Sequence, residues 1–358
     1  MSRISTSLIG WLVKNNAPIT SYLIRKSVFK HFCGGETKQE CSPVIKKLYQ
    51  HGVQSVLDYA VEGQSEGEDF DRIYQEMLEN IDFSKNHVGV PFIVFKPTGL
   101  GSMDIYEKIA KKSELTEIEQ LAWKLVKVRF EGICQKAFEQ NVLVLIDAEE
   151  SWIQDAADEL AETMMRRYNR KQCFIFNTLQ MYRWGRLDYL KKAHERALEG
   201  QYYIGYKLVR GAYMEKERSR AKDMGYNDPI QIDKAATDHD YNEALCYIIK
   251  HNDRIAVFVG THNEESCRLL KDLTEENKIE RNNSHIWLGQ LYGMSDNISF
   301  TLGQLGYNVA KYLPYGPLKE AIPYLIRRAQ ENTSVAGQTG RELILIEQEV
   351  KRRSQSLK

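Results

Sequence analysis

Eight short apolar runs rich in Val, Ile and Phe recur along the chain, each followed by a polar turn and a longer segment with helical spacing. They are QSVLDYA (54–60), FIVFK (92–96), LVLID (143–147), CFIFN (173–177), YIGYKLVR (203–210), IAVFVG (255–260), IWLGQL (286–291) and NVAKYLPYG (308–316). Runs this short and this apolar suit strands buried on both faces, as in a parallel sheet covered by helices. The intervening segments carry the complementary signal. After the third run, Ile153, Ala156, Ala157, Leu160 and Met164 share one helical face, which leaves Asp155, Asp158 and Glu162 for water. Alternation of this kind, with no Gly/Ser-rich linker and no change of composition, predicts an α/β fold, a single (β/α)8 barrel of the TIM type rather than two domains. The barrel domain is expected over residues 51–358, with residues 1–50 as a helical N-terminal appendage.

Forty-nine basic and 49 acidic residues cancel, so no global field recruits nucleic acid or acidic substrates. The six cysteines have neither a CxxC nor a metal-ligand spacing, which fits a reducing compartment and packing roles. No apolar run approaches the roughly 20 residues that cross a bilayer. The N-terminus is basic and apolar by turns: before Glu36 there is no acidic residue, while Arg3, Lys14, Arg25, Lys26 and Lys30 interleave with Leu8, Ile9, Trp11, Leu12, Val13, Tyr22, Leu23, Ile24 and Phe29. Such a segment could lie on an anionic membrane, be an organellar presequence, or pack as an amphipathic helix on its own domain.

In a (β/α)8 barrel the chemistry sits at the C-terminal strand ends, where the loops open onto one mouth. Those ends are polar throughout: Asp58 and Glu62; Lys96; Asp147 with Glu149 and Glu150; Asn177 with Gln180; Lys207 with Arg210; Thr261, His262 and Asn263; Gln290; and Tyr312. The helix after the eighth run adds Tyr324, Arg327, Arg328 and Glu331 at i, i+3, i+4, i+7 on one face, opposite Leu318, Ile322, Leu325, Ile326 and Ala329. Adjacent guanidiniums suit a small carboxylate or phosphate, because each offers a planar fork of donors. Pro323 implies a kink in this helix or a later start. No GxGxxG after a strand, GxxxxGK[ST], HExxH or GxSxG is present, so a cofactor would be held by the mouth itself.

The motifs "YKLVRGAYMEKER", "LIDAEES", "GTHNEES", "GQLYGMSD" and "YLPYGPLKEAIPYLIRRAQEN" resemble, in order and spacing, those of proline dehydrogenase, the flavoenzyme of proline catabolism. The resemblance runs from about residue 50 to the C-terminus and is strongest to the stand-alone, eukaryote-like members. It implies a distorted (β/α)8 barrel with noncovalent FAD, and oxidation of L-proline to Δ1-pyrroline-5-carboxylate by hydride transfer to flavin N5. It further implies a membrane quinone as acceptor. By the same resemblance, Asp147 and Lys207 are the catalytic pair, Lys207 standing where some members have arginine near the flavin ring. Arg327, Arg328 and Lys96 would clamp the proline carboxylate, Tyr312 and Tyr324 would wall its ring, and Glu62 would pair with the first arginine as a gate. Cofactor contacts would come from Ala148, Gln180, Val209, Arg210, Gly211, Ala212, Thr261, His262, Asn263, Gln290 and Glu331.

A cation near the flavin ring would tune its reduction, and Gly211 with Ala212 would let the cofactor approach the backbone closely. Two alternatives stand beside this reading. One is a hydroxyproline dehydrogenase of the same family, disfavoured by Tyr312, which leaves little room for an added hydroxyl. The other is a lyase using Lys96 or Lys207 as a Schiff-base nucleophile. The expected location is the inner face of the plasma membrane in a bacterium, or the matrix side of the mitochondrial inner membrane in a eukaryote.

Overall fold

The computed structural model describes residues 24–60, 67–334, 347 and 349–354. Eight parallel strands close into a barrel in sequential order. They are β1 (Val53–Tyr59), β2 (Phe92–Phe95), β3 (Leu143–Ile146), β4 (Ile175–Gln180), β5 (Ile204–Val209), β6 (Ile255–Gly260), β7 (Ile286–Leu291) and β8 (Val309–Tyr315). Closure is by β1 on β8, paired from Val53 opposite Val309 to Tyr59 opposite Tyr315. Seven runs thus form strands close to their expected places, whereas β4 lies further on than CFIFN. The Asn169 carboxamide oxygen accepts from the amides of Phe174 and Ile175 where the strand begins, both at 2.9 Å.

Helices α1 (Lys30–Phe32) and α2 (Lys38–Tyr49) precede the barrel. Around it follow α3 (Gly67–Lys85), α4 (Met103–Ala110), α5 (Glu117–Glu139), α6 (Ser151–Tyr168), α7 (Arg186–Gly200), α8 (Met214–Met224), α9 (Lys234–Lys250), α10 (Glu264–Glu276), α11 (Asp296–Gln304) and α12 (Leu318–Ser334). Local chemistry sets several starts. Thr116 and Glu119 form a reciprocal capping box on α5, and the Asp233 carboxylate caps α9. The outward residues of the strands join one large apolar core beneath these helices.

Inside the barrel, Val56, Phe92, Val94, Leu145, Phe176, Phe258 and Trp287 form a separate packed cluster. Phe92 meets Phe176, Phe258 and Trp287 edge-on, with ring centroids 5.6, 5.3 and 4.9 Å apart. The barrel is therefore plugged by aromatics, and only its C-terminal end is left for polar chemistry.

The ends of the chain depart from a regular barrel. Helix α2, from the stretch expected as an appendage, lays Cys41 and Ile45 against Leu57, Leu313 and Tyr315 on the outer side of β1 and β8. The helix that follows β8 packs elsewhere. Leu318, Ala321, Ile322, Tyr324 and Leu325 of α12 cluster with Phe29, Phe32, Ala60 and Met294, which flank the C-terminal ends of β1 and β7. Pro323 lies within α12, which begins at Leu318. Residues 1–23, with Arg3, Lys14 and Trp11 of the basic segment, fall outside the described residues; Phe29 and Phe32 pack on α12.

Candidate active site

The inward alternation of the strands brings Asp58, Lys96, Asp147, Lys207 and Tyr312 together above the aromatic plug. Asp147, just past β3, is the hub. Its carboxylate forms an ion pair with the Lys207 ammonium and accepts the Tyr312 hydroxyl at 2.9 and 2.8 Å. Lys207 is buried and lies 4.9 Å from the centroid of the Tyr312 ring. Burial, with the Asp147 and Asp58 charges, pushes the Tyr312 phenol well above its ordinary range, so it stays a donor to Asp147. Lys96 reaches the Asp58 carboxylate at 3.4 Å. Two cations and two carboxylates are thus held in a water-poor pocket, where each exerts a stronger field than at the surface.

Helix α12 borders this group through Tyr324, whose phenol acts on that of Tyr312. Tyr324 and Arg328 are 5% and 7% exposed, although they share the face expected to be solvated if the arginines were merely a surface pair. The Arg328 guanidinium lies over the Tyr324 ring at 5.3 Å. Its charge also reaches His262 and, with Lys311, keeps that imidazole unprotonated: burial first, then these cations, lowers its pKa from 6.5 to about 3. Arg327 is half-buried beside Arg328. Glu62 lies outside the described residues, as does the side chain of Glu331.

The expected cofactor residues divide by the face they occupy. Gln180 lies at the mouth: its amide nitrogen donates to the Glu149 carbonyl at 2.9 Å, and its buried Oε1 has no hydrogen-bond partner among the described residues. Ala148 and Val209 are partly exposed at the ends of β3 and β5, and Gly211 and Ala212 are exposed. Gly211 has φ of 140°, and a Cβ there would come within 2.4 Å of the Tyr182 ring, so only glycine fits. Arg210, by contrast, turns outward. It donates to Asp238 at 2.6 Å, Thr261 at 2.9 Å and Ser266 at 3.1 Å, and stacks on Tyr241, tying α9 to α10. Asn263 caps α10 by accepting from the Ser266 amide, and Gln290 spends both amide ends on the Thr261 carbonyl and the Ser299 hydroxyl.

Two expectations are corrected. Asn177 lies in mid-strand and points outward, because β4 runs on to Gln180. Asp158, expected in water, is 4% exposed and accepts from Gln154 at 2.8 Å, Asn177 at 2.7 Å and Arg186 at 2.9 Å. Lys311, fully buried on the outer side of β8, has no counterpart among the expected site residues.

A family model described as proline dehydrogenase matches residues 41–341. The chain belongs to the proline dehydrogenase family. It is 38% identical over 324 residues to the carbapenem antibiotics biosynthesis protein CarD of Pectobacterium carotovorum, covering 90% of this chain and 83% of that protein. It is 41% identical over 244 residues to the mitochondrial proline dehydrogenase 1 of Homo sapiens, covering 67% of this chain and 41% of that one. For the Caenorhabditis elegans counterpart the figures are 39% over 247 residues, 68% and 40%. The chain therefore spans well under half of these two animal proteins. Among solved structures, proline utilization A (PutA) from Bdellovibrio bacteriovorus, inactivated by N-propargylglycine, superposes with a TM-score of 0.79 at 22% identity, over 89% of this chain and 34% of that one. At that identity the likeness speaks for the fold alone.

Proposed function

We propose that the chain oxidises L-proline to Δ1-pyrroline-5-carboxylate with noncovalent FAD as electron acceptor, the first step of proline degradation towards glutamate. The observation that carries this reading is the burial of Tyr324 and Arg328 on α12, where the Tyr324 phenol acts on that of Tyr312 and the Arg328 charge acts on His262. Arg327 and Arg328 offer adjacent forks for the substrate carboxylate, and Lys96 adds a third cation on the far side of the mouth. Tyr312, fixed by both oxygens of Asp147, sets the depth of the ring pocket. The reaction removes a hydride from the ring carbon beside nitrogen and a proton from the nitrogen, and both electrons leave with the hydride. Bound FAD supplies the acceptor for that hydride. The share of the protein is orientation, exclusion of water by α12, and the field of Lys207 held by Asp147.

The residues at the mouth fit the cofactor. Gln180 Oε1 is a buried acceptor waiting for a donor such as a flavin imide, and the glycine-only turn at Gly211 leaves the end of β5 bare. Ala148, Val209, Ala212, Thr261 and His262 would border the same space, as would Glu331; Arg210, Asn263 and Gln290 would support it from behind. Glu62 would close over the substrate by pairing with Arg327. Both candidate Schiff-base lysines are engaged, Lys207 with Asp147 and Lys96 with Asp58, which weighs against a lyase.

Electrons would pass to a membrane quinone, with the basic N-terminus as the docking element. The proposed association is peripheral; no helix among the described residues is long and apolar enough to cross a membrane. The animal relatives bear the word mitochondrial in their names, which supports the matrix side of the inner membrane in a eukaryote; the corresponding bacterial site is the cytoplasmic face of the plasma membrane.

The test traps the product with o-aminobenzaldehyde while a dye reoxidises the flavin. L-Proline should give the coloured adduct, and Arg328→Met should lower kcat/KM about 10- to 100-fold, mostly through KM, as expected for one lost charge-assisted contact. FAD-loaded protein that forms no adduct with proline would refute the proposal.

A further inference from the structure

Lys311 takes no part in the proposed chemistry. Its ammonium lies on the outer side of β8 at zero exposure. A buried ammonium persists only where oxygens surround it. Here it donates to the Met294 carbonyl at 2.6 Å and the Leu291 carbonyl at 3.5 Å, and pairs with Asp296 at 2.8 Å. The three oxygens span the 291–296 loop: Leu291 ends β7, Met294 lies in the connection, and Asp296 opens α11. That loop is otherwise awkward to hold. Gly293 has φ of 77° and abuts the His31 carbonyl, and Ser295 sits in the left-handed region at φ of 52°, an uncommon state for a residue with a side chain.

Ser295 is what the loop presents to the site. Its Oγ lies 2.9 Å from His262 Nδ1, while the Leu291 amide donates to His262 Nε2 at 3.5 Å. An imidazole that accepts at Nε2 carries its proton at Nδ1 and donates it to Ser295. Met294 of the same loop packs under α12.

We propose that Lys311 is a positioning residue: by clamping the 291–296 loop from behind, it fixes the Nδ1–H tautomer and orientation of His262 at the barrel mouth. The link to catalysis rests on the reading that His262 borders FAD, but the clamp itself does not. The two can therefore fail separately.

The test is proton–nitrogen correlation NMR of protein labelled with 15N-histidine, read beside the FAD:protein ratio. In the wild type, His262 should show the neutral Nδ1–H form down to about pH 4. Lys311→Met should mix the tautomers and raise the His262 titration by about one pH unit, since a nearby cation is gone. Lys311→Arg should restore most of the wild-type pattern. Ser295→Ala, which leaves Lys311 in place, should disturb the tautomer in the same way. It also covers the case in which Lys311→Met does not fold. An unchanged His262 pattern in Ser295→Ala, or in a folded Lys311→Met, overturns the inference. Weaker FAD retention in both variants is expected. A wild type that binds no FAD would refute the proposed function while leaving the NMR result to decide on the clamp.

Discussion

Tyr312 and Glu149 show how single side chains in this barrel acquire their properties from what surrounds them. Tyr312→Phe removes the donor to both oxygens of a buried, charged Asp147. Hydrogen bonds to charged groups contribute about 1.5–3 kcal/mol, so kcat/KM for proline should fall about 10- to 100-fold, and discrimination against trans-4-hydroxy-L-proline should narrow; steady-state kinetics with both substrates reads this. Glu149 accepts from the Thr98 amide at 2.9 Å and hydroxyl at 2.6 Å, two residues from Lys96. Burial, reinforced by Glu150 and opposed by Thr98 and Lys96, raises its carboxyl from 4.5 to about 7. The folded state therefore holds this proton more tightly than the unfolded chain. Its contribution to stability is full below about 4.5 and is lost as pH rises through about 7. Thermal melts should show the wild type losing Tm over that window relative to Glu149→Gln. His262 works in the opposite sense: its depressed pKa contributes stability above about 6.5 that is lost as pH falls towards about 3. Asp147, Lys207 and Tyr312 could be picked out as polar residues at strand ends. That they bond to one another could not, because their separations along the chain run from 60 to 165 residues.

Helix α6 carries the lesson about elements. Its apolar face was legible from spacing, since Ile153, Ala156, Ala157 and Leu160 are all buried. Its polar face was misread at Asp158, because α7 returns across it with Arg186 and β4 turns Asn177 towards it. Periodicity reports the face that meets the sheet and says nothing of a neighbour that covers the other. The consequence can be measured: Asp158→Ala leaves Arg186 buried without its partner, and urea unfolding should show a loss of about 3–5 kcal/mol. The same limit holds at the start of β4, where Asn169 accepts from the amides of Phe174 and Ile175, a contact that an apolar run cannot reveal.

At the scale of the molecule, the eight strands were legible because each is a short apolar run bounded by turns, and a closed barrel gives every run the same environment on both faces. The placement of α12 was not, since it depends on α2 taking the outer flank of β1 and β8 and on Phe29 and Phe32 backing the helix from above. That exchange leaves the helix following the last strand beside the mouth, with Tyr324 acting on Tyr312 and Arg328 buried where its charge reaches His262. The claim that follows, a mouth built for proline beside a flavin, is tested most directly by the absorbance spectrum of the purified protein titrated anaerobically with L-proline. The flavin band should bleach with proline and persist with trans-4-hydroxy-L-proline. A flavin that stays oxidised with proline, or a protein that neither carries nor takes up FAD, would contradict that claim.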